Sequence, residues 1–526
     1  MSAYAPTGQQ QACIDAALRG ETFVAQARAG AGKTTTARQI ALALPGKKIL
    51  YVAFNKSTQV EAKNSFPTNV DARTSHSLAW WMGRKYTHRM LKPMGSAKRV
   101  PAWQAAQQLG VSPVTIADKE LDGAQLVRLA LAAVARFSRS ADRELNAYHV
   151  RWVKGLEGEH EQVVRVVLPL ARRCWQDIRS GRVLNVAGEH YIKMWQLTSP
   201  KLSKYDVIIF DEAQDANGAV ADVIERQSCQ KIYIGDSAQA INGWNGAVDF
   251  LARATVDASY PLSQSFRFGQ AVADAGNDFL RIMGEPTDTL LTGFDKISST
   301  IEKLDDPDAI LCRTNAGVVT VALDQLGKGR KVAIVGGADS IIELAEAAAQ
   351  LQAGAKTSHP DLAAFRSWAE VQAYVKEDEG ADLRPFVKII DELSAEAVIE
   401  SLRNLTAEKY ADVVVSTAHK AKGREWKRVR VHTDFPEPKP LSDGSKGHVS
   451  REMAMLAYVT LTRAQLVLDD EGLAWRSEYL PEGDTAEDDY TRAVREFAEI
   501  SKAAGDDEAE FAKLEGMAAM GIRLAR

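Results

Sequence analysis

Cysteine is scarce in this chain. The 526 residues contain four, Cys13, Cys174, Cys229 and Cys312, with no CxxC pair and no histidine close by. That spacing argues against a structural metal site and against a disulfide framework, so the four read as core thiols. Long apolar runs are missing too. No stretch of about 18 consecutive apolar residues occurs, so no membrane-spanning helix is expected. The opening MSAYAPTGQQQACIDAA lacks the basic-then-apolar profile of a secretion signal. A cytoplasmic location is therefore expected, nucleoid-associated or in the host cytoplasm if the chain is viral. Internal repeats are absent, which excludes solenoids and propellers. Strong net charge is absent as well. At −4 the formal balance does not suggest a nucleic-acid binder, because neutralising phosphates requires local lysine and arginine.

What is present is a chain 45% hydrophobic, long enough for about three or four domains and typical of a multidomain enzyme. Basic residues do gather locally, in Arg84, Lys85, His88, Arg89, Lys92, Lys98 and Arg99, and again in Lys420, Lys422, Arg424, Lys427, Arg428 and Arg430. Each cluster alone reads more readily as a solvated face than as a binding site.

The strongest local signal is Ala27-Arg-Ala-Gly-Ala-Gly-Lys-Thr34, set between an apolar strand (Thr22 to Gln26) and a helix (Thr34 to Leu44) ended by Pro45-Gly46. This is a phosphate-binding loop, in which small residues let successive backbone N–H groups wrap an anion at a helix N-terminus. Its nucleotide-contacting residues are Ala27, Arg28, Ala29, Gly30, Ala31, Gly32, Lys33, Thr34 and Thr35. Lys33 is placed to pair with the β/γ-phosphates and the Thr34 hydroxyl to ligate Mg²⁺. A second apolar run, Asp206 to Phe210, is followed at once by Asp211-Glu-Ala-Gln-Asp215. Carboxylates at that strand end fit Asp211 as the Mg²⁺ ligand and Glu212 as the base that polarises water. The cofactors expected are ATP and Mg²⁺.

With these motifs in place, further blocks follow in order across residues 6 to 466, and the chain resembles the superfamily 1 helicases of the UvrD/Rep/PcrA group. Within that group, LYVAFNKSTQVEAKNSF followed by TSHSLAW is most similar to the F-box helicases and their bacterial and phage cousins. The resemblance implies that Gln10, in Thr7-Gly-Gln-Gln10, reads the adenine edge. It implies that Phe54, Asn55, Lys56, Thr74 and His76 contact a single strand from the first core. Phe54 follows ILYVA and reads equally as a buried residue. Gly235 to Gly246 resembles the block that couples nucleotide state to DNA, with Gln239 sensing the γ-phosphate and Trp244 stacking on a base. Here Asn242 and Asn245 depart from the aromatic residue and arginine common in relatives.

Gln264-Ser-Phe-Arg-Phe268 resembles the next block and offers Phe266 to stack on adenine and Arg267 to reach the γ-phosphate. VVVSTAHKAKGREW implies Glu425 on the ribose, with Thr417, His419 and Lys420 near DNA. AYVTLTRA supplies Arg463 as a second arginine finger. The catalytic set is thus Lys33, Asp211, Glu212, Gln239, Arg267 and Arg463.

The fold class expected is α/β, two RecA-like P-loop cores with parallel sheets, each interrupted by a mainly helical insertion. The first core comprises 1–85 and 195–258, around an accessory helical insertion at 86–194 whose core is expected to hold Trp152 and Trp175. The second comprises 259–340 and 405–475, around a reduced insertion at 341–404. That segment is too short for an independent swivelling domain, and Ile341, Ile342, Leu344, Leu351, Leu362, Phe365 and Trp368 are expected to pack on the parent core. Residues 476–526 form an acidic tail, a docking arm for a protein partner. The activity implied is an ATP-dependent, 3′-to-5′ helicase or translocase working as a monomer on single-stranded DNA and single/double-strand junctions. The alternative is a nucleic-acid-bound ATP switch that displaces proteins without processive unwinding.

Overall fold

The computed structural model describes residues 5–90, 98–241, 250–377, 383–441 and 444–481. Strands β1 (Phe23–Ala27), β2 (Ile49–Ala53) and β3 (Val70–Thr74) alternate with helices Gly8–Arg19, Lys33–Ala43 and Lys56–Ser65. Every residue of β2 is buried, without the in-and-out alternation of a one-sided sheet. That is the pattern of a parallel strand covered by helices on both faces.

The chain then leaves the sheet. It forms a small antiparallel hairpin, β4 (Val114–Ile116) with β5 (Lys119–Leu121), and helices Ala102–Leu109, Gly123–Arg139, His160–Ser180 and Gly188–Leu197. Among the described residues these helices have no separate core. Leu126, Val134, Val167 and Ile178 join one apolar cluster with Val24, Leu50, Val52, Ile208 and Phe210 of the sheet. Trp175 is buried in it, edge-on to Phe137 at 5.5 Å. Trp152 is not: it is 65% exposed and stacks on His160 at 3.9 Å. It lies between helices, where Val150 and Val153 take the inward positions.

Strands β6 (Val207–Asp211), β7 (Gln230–Gly235) and β8 (Ala258–Leu262) complete the first sheet, all parallel in the order β3-β2-β6-β7-β1-β8. β8 pairs with β1 through Leu262, so the expected boundary at 258 cuts a strand and the first core runs on to Leu262. Pro261 is tolerated there because β8 lies at the edge, where a missing N–H costs no ladder bond. The boundaries placed at 194 and 340 also fall inside helices, Gly188–Leu197 and Asp339–Gln352. The former packs back on Ser75–Gly83, with Tyr191 edge-on to His76 and Trp80.

The second sheet contains β9 (Thr300–Ile301), β10 (Ala309–Cys312), β11 (Val332–Ile334), β12 (Val413–Thr417), β13 (Trp426–Val431) and β14 (Ala464–Asp469). It is also wholly parallel, in the order β11-β12-β10-β13-β14-β9. Its insertion folds as helices Asp339–Gln352, Trp368–Tyr374, Arg384–Leu393 and Ala395–Arg403. Ile341, Leu351, Leu362, Phe365 and Trp368 are buried in one cluster with Ile310, Val332 and Val413 of the sheet, and Ile342 and Leu344 pack against it. The insertion also reaches the other insertion. Buried Gln125 donates to the carbonyls of Thr357 and Ala363, and the Tyr374 hydroxyl donates to Glu157 at 2.8 Å. Among the described residues no helix is long and apolar enough to cross a membrane.

Candidate functional site

The carboxyl ends of β1 and β6 meet at a cavity of about 990 Å³ that is closed from the opposite side by the second core. Ala29 to Thr35 line it, at the start of helix Lys33–Ala43. Gly32 is the N-cap with φ +74° and no side chain caps the helix, so the first-turn N–H groups are left to an anion. Gly30, also at φ +74°, is needed for a second reason: a Cβ there would stand 2.4 Å from Ser265 Oγ and 2.8 Å from Arg267 Cβ of the second core.

Around this loop the charges are paired internally. Lys33 Nζ lies 2.8 Å from Glu212 Oε1. Asp211 accepts from the Tyr51 hydroxyl at 2.5 Å and from the Glu212 N–H at 3.0 Å. Tyr51 also lies within hydrogen-bonding reach of Thr34, so the two groups expected to hold Mg²⁺ converge on one hydroxyl. That hydroxyl–carboxylate pair of hard oxygens fits Mg²⁺. Burial and the adjacent Glu212 charge hold the Asp211 carboxyl above its usual range. Burial pushes Glu212 upward as well, but Lys33, Lys422 and Gln214 outweigh it and hold Glu212 ionised. Glu212 takes a left-handed backbone, φ +50°, a strain that aims its side chain off the strand into the cavity.

The second core contributes Phe266, Arg267, His419, Lys422, Glu425 and Arg463 to the same cavity. Arg267 Nε pairs with Glu425 at 2.5 Å, and another of its nitrogens donates to the Thr462 carbonyl. Arg463 is buried and donates to the carbonyls of Val459 and Arg424 and to the Thr462 hydroxyl. Burial, then the neighbouring Arg267, pushes its pKa down to about 9. Lys422 was read from sequence only as one of a basic cluster. It crosses the cleft to pair with Asp215 and to donate to the Gln239 carbonyl. The signal that would have found it is its place in the basic loop after β12, facing the carboxylates after β6.

Several sequence expectations are corrected. Ala27 is a fully buried strand residue, and Arg28 is also fully buried, turned away from the cavity toward Asp236, Glu285 and Thr289. Neither lines the nucleotide space, because β1 continues through Ala27 and the loop turns only after it. The Gln10 amide accepts from Thr7 N and donates to Thr36 Oγ1, completing a helix capping box, and its Nε2 stands beside Gly32 of the loop on the side where the Phe266 ring also lies. Phe266 has its ring beside Gly32 and is 38% exposed. Gln239 lines the cavity, held by Asp236 at 2.6 Å.

Of the residues expected on DNA, Phe54 is exposed, so the buried alternative falls. Phe54, Asn55 and His419 line the inter-core cavity itself. Asn55, Thr74 and Thr417 cap the helices that begin at Lys56, Ser75 and Ala418. Lys56 bonds Gln59 at 3.1 Å, and His76 is exposed beside Tyr191. Lys420 carries its stem past Gly336. The two cores thus repeat one device: a strand end, a threonine cap and a histidine two residues later, Thr74 with His76 and Thr417 with His419. Trp244, with Asn242 and Asn245, lies outside the described residues.

The fold also gathers Cys312, His432 and Asp434, with ligand atoms within 4.8 Å of one another, which scattered sequence positions had concealed. Asp434 already accepts from the Arg313 and Thr314 N–H groups and the Thr314 hydroxyl, and burial pushes the Cys312 thiol well up. The group reads as the brace of a helix start.

Two parallel cores with a P-loop and paired carboxylates on one side, and arginines entering from the other, define the two-core P-loop class of nucleotide-binding fold. Comparison with known proteins gives this class a narrower place. A family described as an AAA domain matches residues 9–245. The F-box DNA helicase protein 1 of Schizosaccharomyces pombe is 30% identical over 515 residues, covering 88% of this chain and 57% of that protein. The F-box DNA helicase 1 of Gallus gallus is 26% identical over 502 residues, covering 88% and 48%. The chain therefore spans about half the length of the curated relatives it matches. A solved structure of Pif1 helicases on forked double-stranded DNA aligns over 94% of this chain and 98% of that one, at 13% identity and a TM-score of 0.34. The similarity to the curated DNA helicases supports a place for the chain in the superfamily 1 helicase family.

Proposed function

We propose that the chain is an ATP-driven DNA helicase or translocase that steps along single-stranded DNA, 3′-to-5′, with Mg-ATP hydrolysed between its cores. The observation that carries the reading is the division of one cavity between the two cores. Lys33, Thr34, Asp211 and Glu212 come from the first, and Arg267, Lys422 and Arg463 from the second. Mg²⁺, held by Thr34 and Asp211, would supply charge neutralisation at the phosphates. Glu212 takes the proton of the attacking water, while Lys33 and the loop N–H groups fix the phosphates. Arg267 and Arg463 answer the charge that develops on the γ-phosphoryl, an effect worth roughly 10³ to 10⁵ in rate. Because the fingers sit on the other core, hydrolysis requires closure.

Closure changes the spacing between the strand ends at Thr74 and Thr417, to which the motif resemblance assigns strand contacts, and moves a strand held across both. Phe54 adds a stacking surface indifferent to sequence. The 3′-to-5′ sense rests on the motif resemblance, and single strands and junctions are the substrates it implies.

The test is ATP turnover with and without single-stranded DNA, followed by unwinding of duplexes bearing a 3′ or a 5′ overhang. Stimulation by single strands and preference for the 3′ overhang are expected. Lys33→Ala and Glu212→Gln should abolish turnover and leave strand binding in place. Turnover indifferent to DNA would refute the motor reading. Stimulation with protein displacement but no unwinding would favour the switch.

A further inference from the structure

The residue at the second position of the phosphate loop, Arg28, does not touch the nucleotide cavity, yet it is the most heavily engaged cation near it. Its Nε donates to the Thr289 carbonyl at 2.8 Å, one terminal nitrogen to Asp236 at 3.1 Å, and the other to Glu285 and the Thr289 hydroxyl, both at 2.7 Å. Asp236 lies after β7 in the first core. Glu285 and Thr289 follow helix Gln270–Ile282, which packs on the finger-bearing helix Arg451–Leu461 of the second. One guanidinium fork therefore fastens the loop to both bodies.

The knot extends further. Asp236 also accepts from Gln239 Nε2 at 2.6 Å, from the Tyr458 hydroxyl at 3.2 Å and from the Ala238 N–H. The same Tyr458 hydroxyl accepts from the Ala29 N–H of the phosphate loop at 3.1 Å. Tyr458 lies on helix Arg451–Leu461, five residues before Arg463. The γ-phosphate end of the site thus has both its reporters, Gln239 and the finger helix, tied through Asp236 and Tyr458 to Arg28.

Stability alone does not call for this arrangement. Arg28 and Asp236 are both wholly buried, and buried ion pairs replaced by apolar residues of equal volume are often no less stable. What ions and a planar five-donor fork supply, and a methionine would not, is fixed direction among several partners. We propose that Arg28 is a positioning residue which, through Asp236 and Tyr458, sets Gln239 and the Arg463 helix against the phosphate loop as the cores close. This rests on the proposed roles of Gln239 and Arg463 in ATP hydrolysis.

Two variants keep the test clear of unfolding: Arg28→Lys, which retains the charge but not the fork, and Tyr458→Phe, which removes one oxygen. The full chain is assayed for ATP turnover with saturating single-stranded DNA, for binding of a non-hydrolysable ATP analogue, and for thermal melting. Each variant should lose about tenfold or more in kcat, with KM for ATP and analogue affinity within about threefold of wild type. The double variant should fall little below the worse single one, because both act through Asp236. A kcat per folded molecule equal to wild type, with only a lowered melting temperature, would overturn the proposal and leave the knot as scaffolding. Independent, multiplying losses would also overturn it. Failure of the motor reading is separate, since it would show in wild type as turnover indifferent to DNA.

Discussion

Phe266→Ala separates nucleotide binding from catalysis more cleanly than any other change in the cleft. The ring stands beside Gly32, with its Cδ2 and Cε2 3.6 Å from where a Cβ would be, and it meets Phe294 edge-on at 5.4 Å. Its backbone N–H is fixed by the Gly30 carbonyl at 2.9 Å, so the ring's position follows the phosphate loop. The remaining face opens on the cavity. A base stacked on an aromatic face is worth about 1 to 3 kcal/mol, so losing the ring should raise KM for ATP by roughly 5- to 150-fold. An adenine is stacked equally in ground and transition states, so kcat should hold while kcat/KM falls. Phe266→Trp keeps a face and should restore KM. The ring is already 38% exposed, so the melting cost should stay below the roughly 3 to 5 kcal/mol of a fully buried phenylalanine. Steady-state turnover against ATP concentration is the assay. A KM within about twofold of wild type, in a folded protein, would refute adenine stacking at this residue.

Other outcomes follow from particular contacts. Trp152→Ala should change stability by less than about 1 kcal/mol because the ring is mostly solvated, whereas Trp175→Ala should cost about 3 to 5 kcal/mol, both read by denaturant melts. Lys193 is buried and its pKa is lowered to about 8 by burial. Between about pH 8 and 10.5 the unfolded chain binds the extra proton, so stability should rise with pH in that window, by up to about 3 kcal/mol, and Lys193→Met should flatten the rise. Parallel melting curves for the two proteins would contradict this. Gln125→Leu strips two bonds from the carbonyls of Thr357 and Ala363 and should speed hydrogen exchange in 357–364, whereas unchanged protection would show that the insertions are held together elsewhere.

The parallel strands were legible because burial on both faces writes itself as unbroken apolar runs, as in ILYVA and DVIIF. The loop and its carboxylates were legible because short spacing fixes them relative to one strand. Pairing between distant strands leaves no such trace, which is why β8, with its proline and exposed edge, was assigned to the wrong core. Trp152 misled for a related reason. A large apolar residue has no direction until the backbone around it does, and here the neighbouring valines face inward. Arg28 was assigned by position within a motif, but hydrogen-bond partners 208 to 261 residues away decide where its side chain points. Lys422 lacked only its partner, since nothing in the sequence sets it opposite Asp215.

The pairing of charges across the cleft explains why binding and closure must be coupled. Lys33 rests on Glu212, Arg267 on Glu425 and Lys422 on Asp215. Each of these three cations rests on a carboxylate, and two of those carboxylates, Glu212 and Glu425, are ones the proposed chemistry uses elsewhere. On the proposed mechanism, an arriving polyphosphate would take these cations, freeing Glu212 to accept a proton and Glu425 to meet a sugar hydroxyl. Lys422 is the exception that carries the coupling, because its partner lies on the opposite core. While it holds Asp215 it links the two bodies with no nucleotide between them, and Glu212 stays ionised partly under its charge. Withdrawing Lys422 as the cores separate removes charge from the base, and bringing it back restores it. On the proposed mechanism, the motion that changes the spacing of Thr74 and Thr417 would also change the charge at Glu212, which would couple stepping to hydrolysis with no further signal between them.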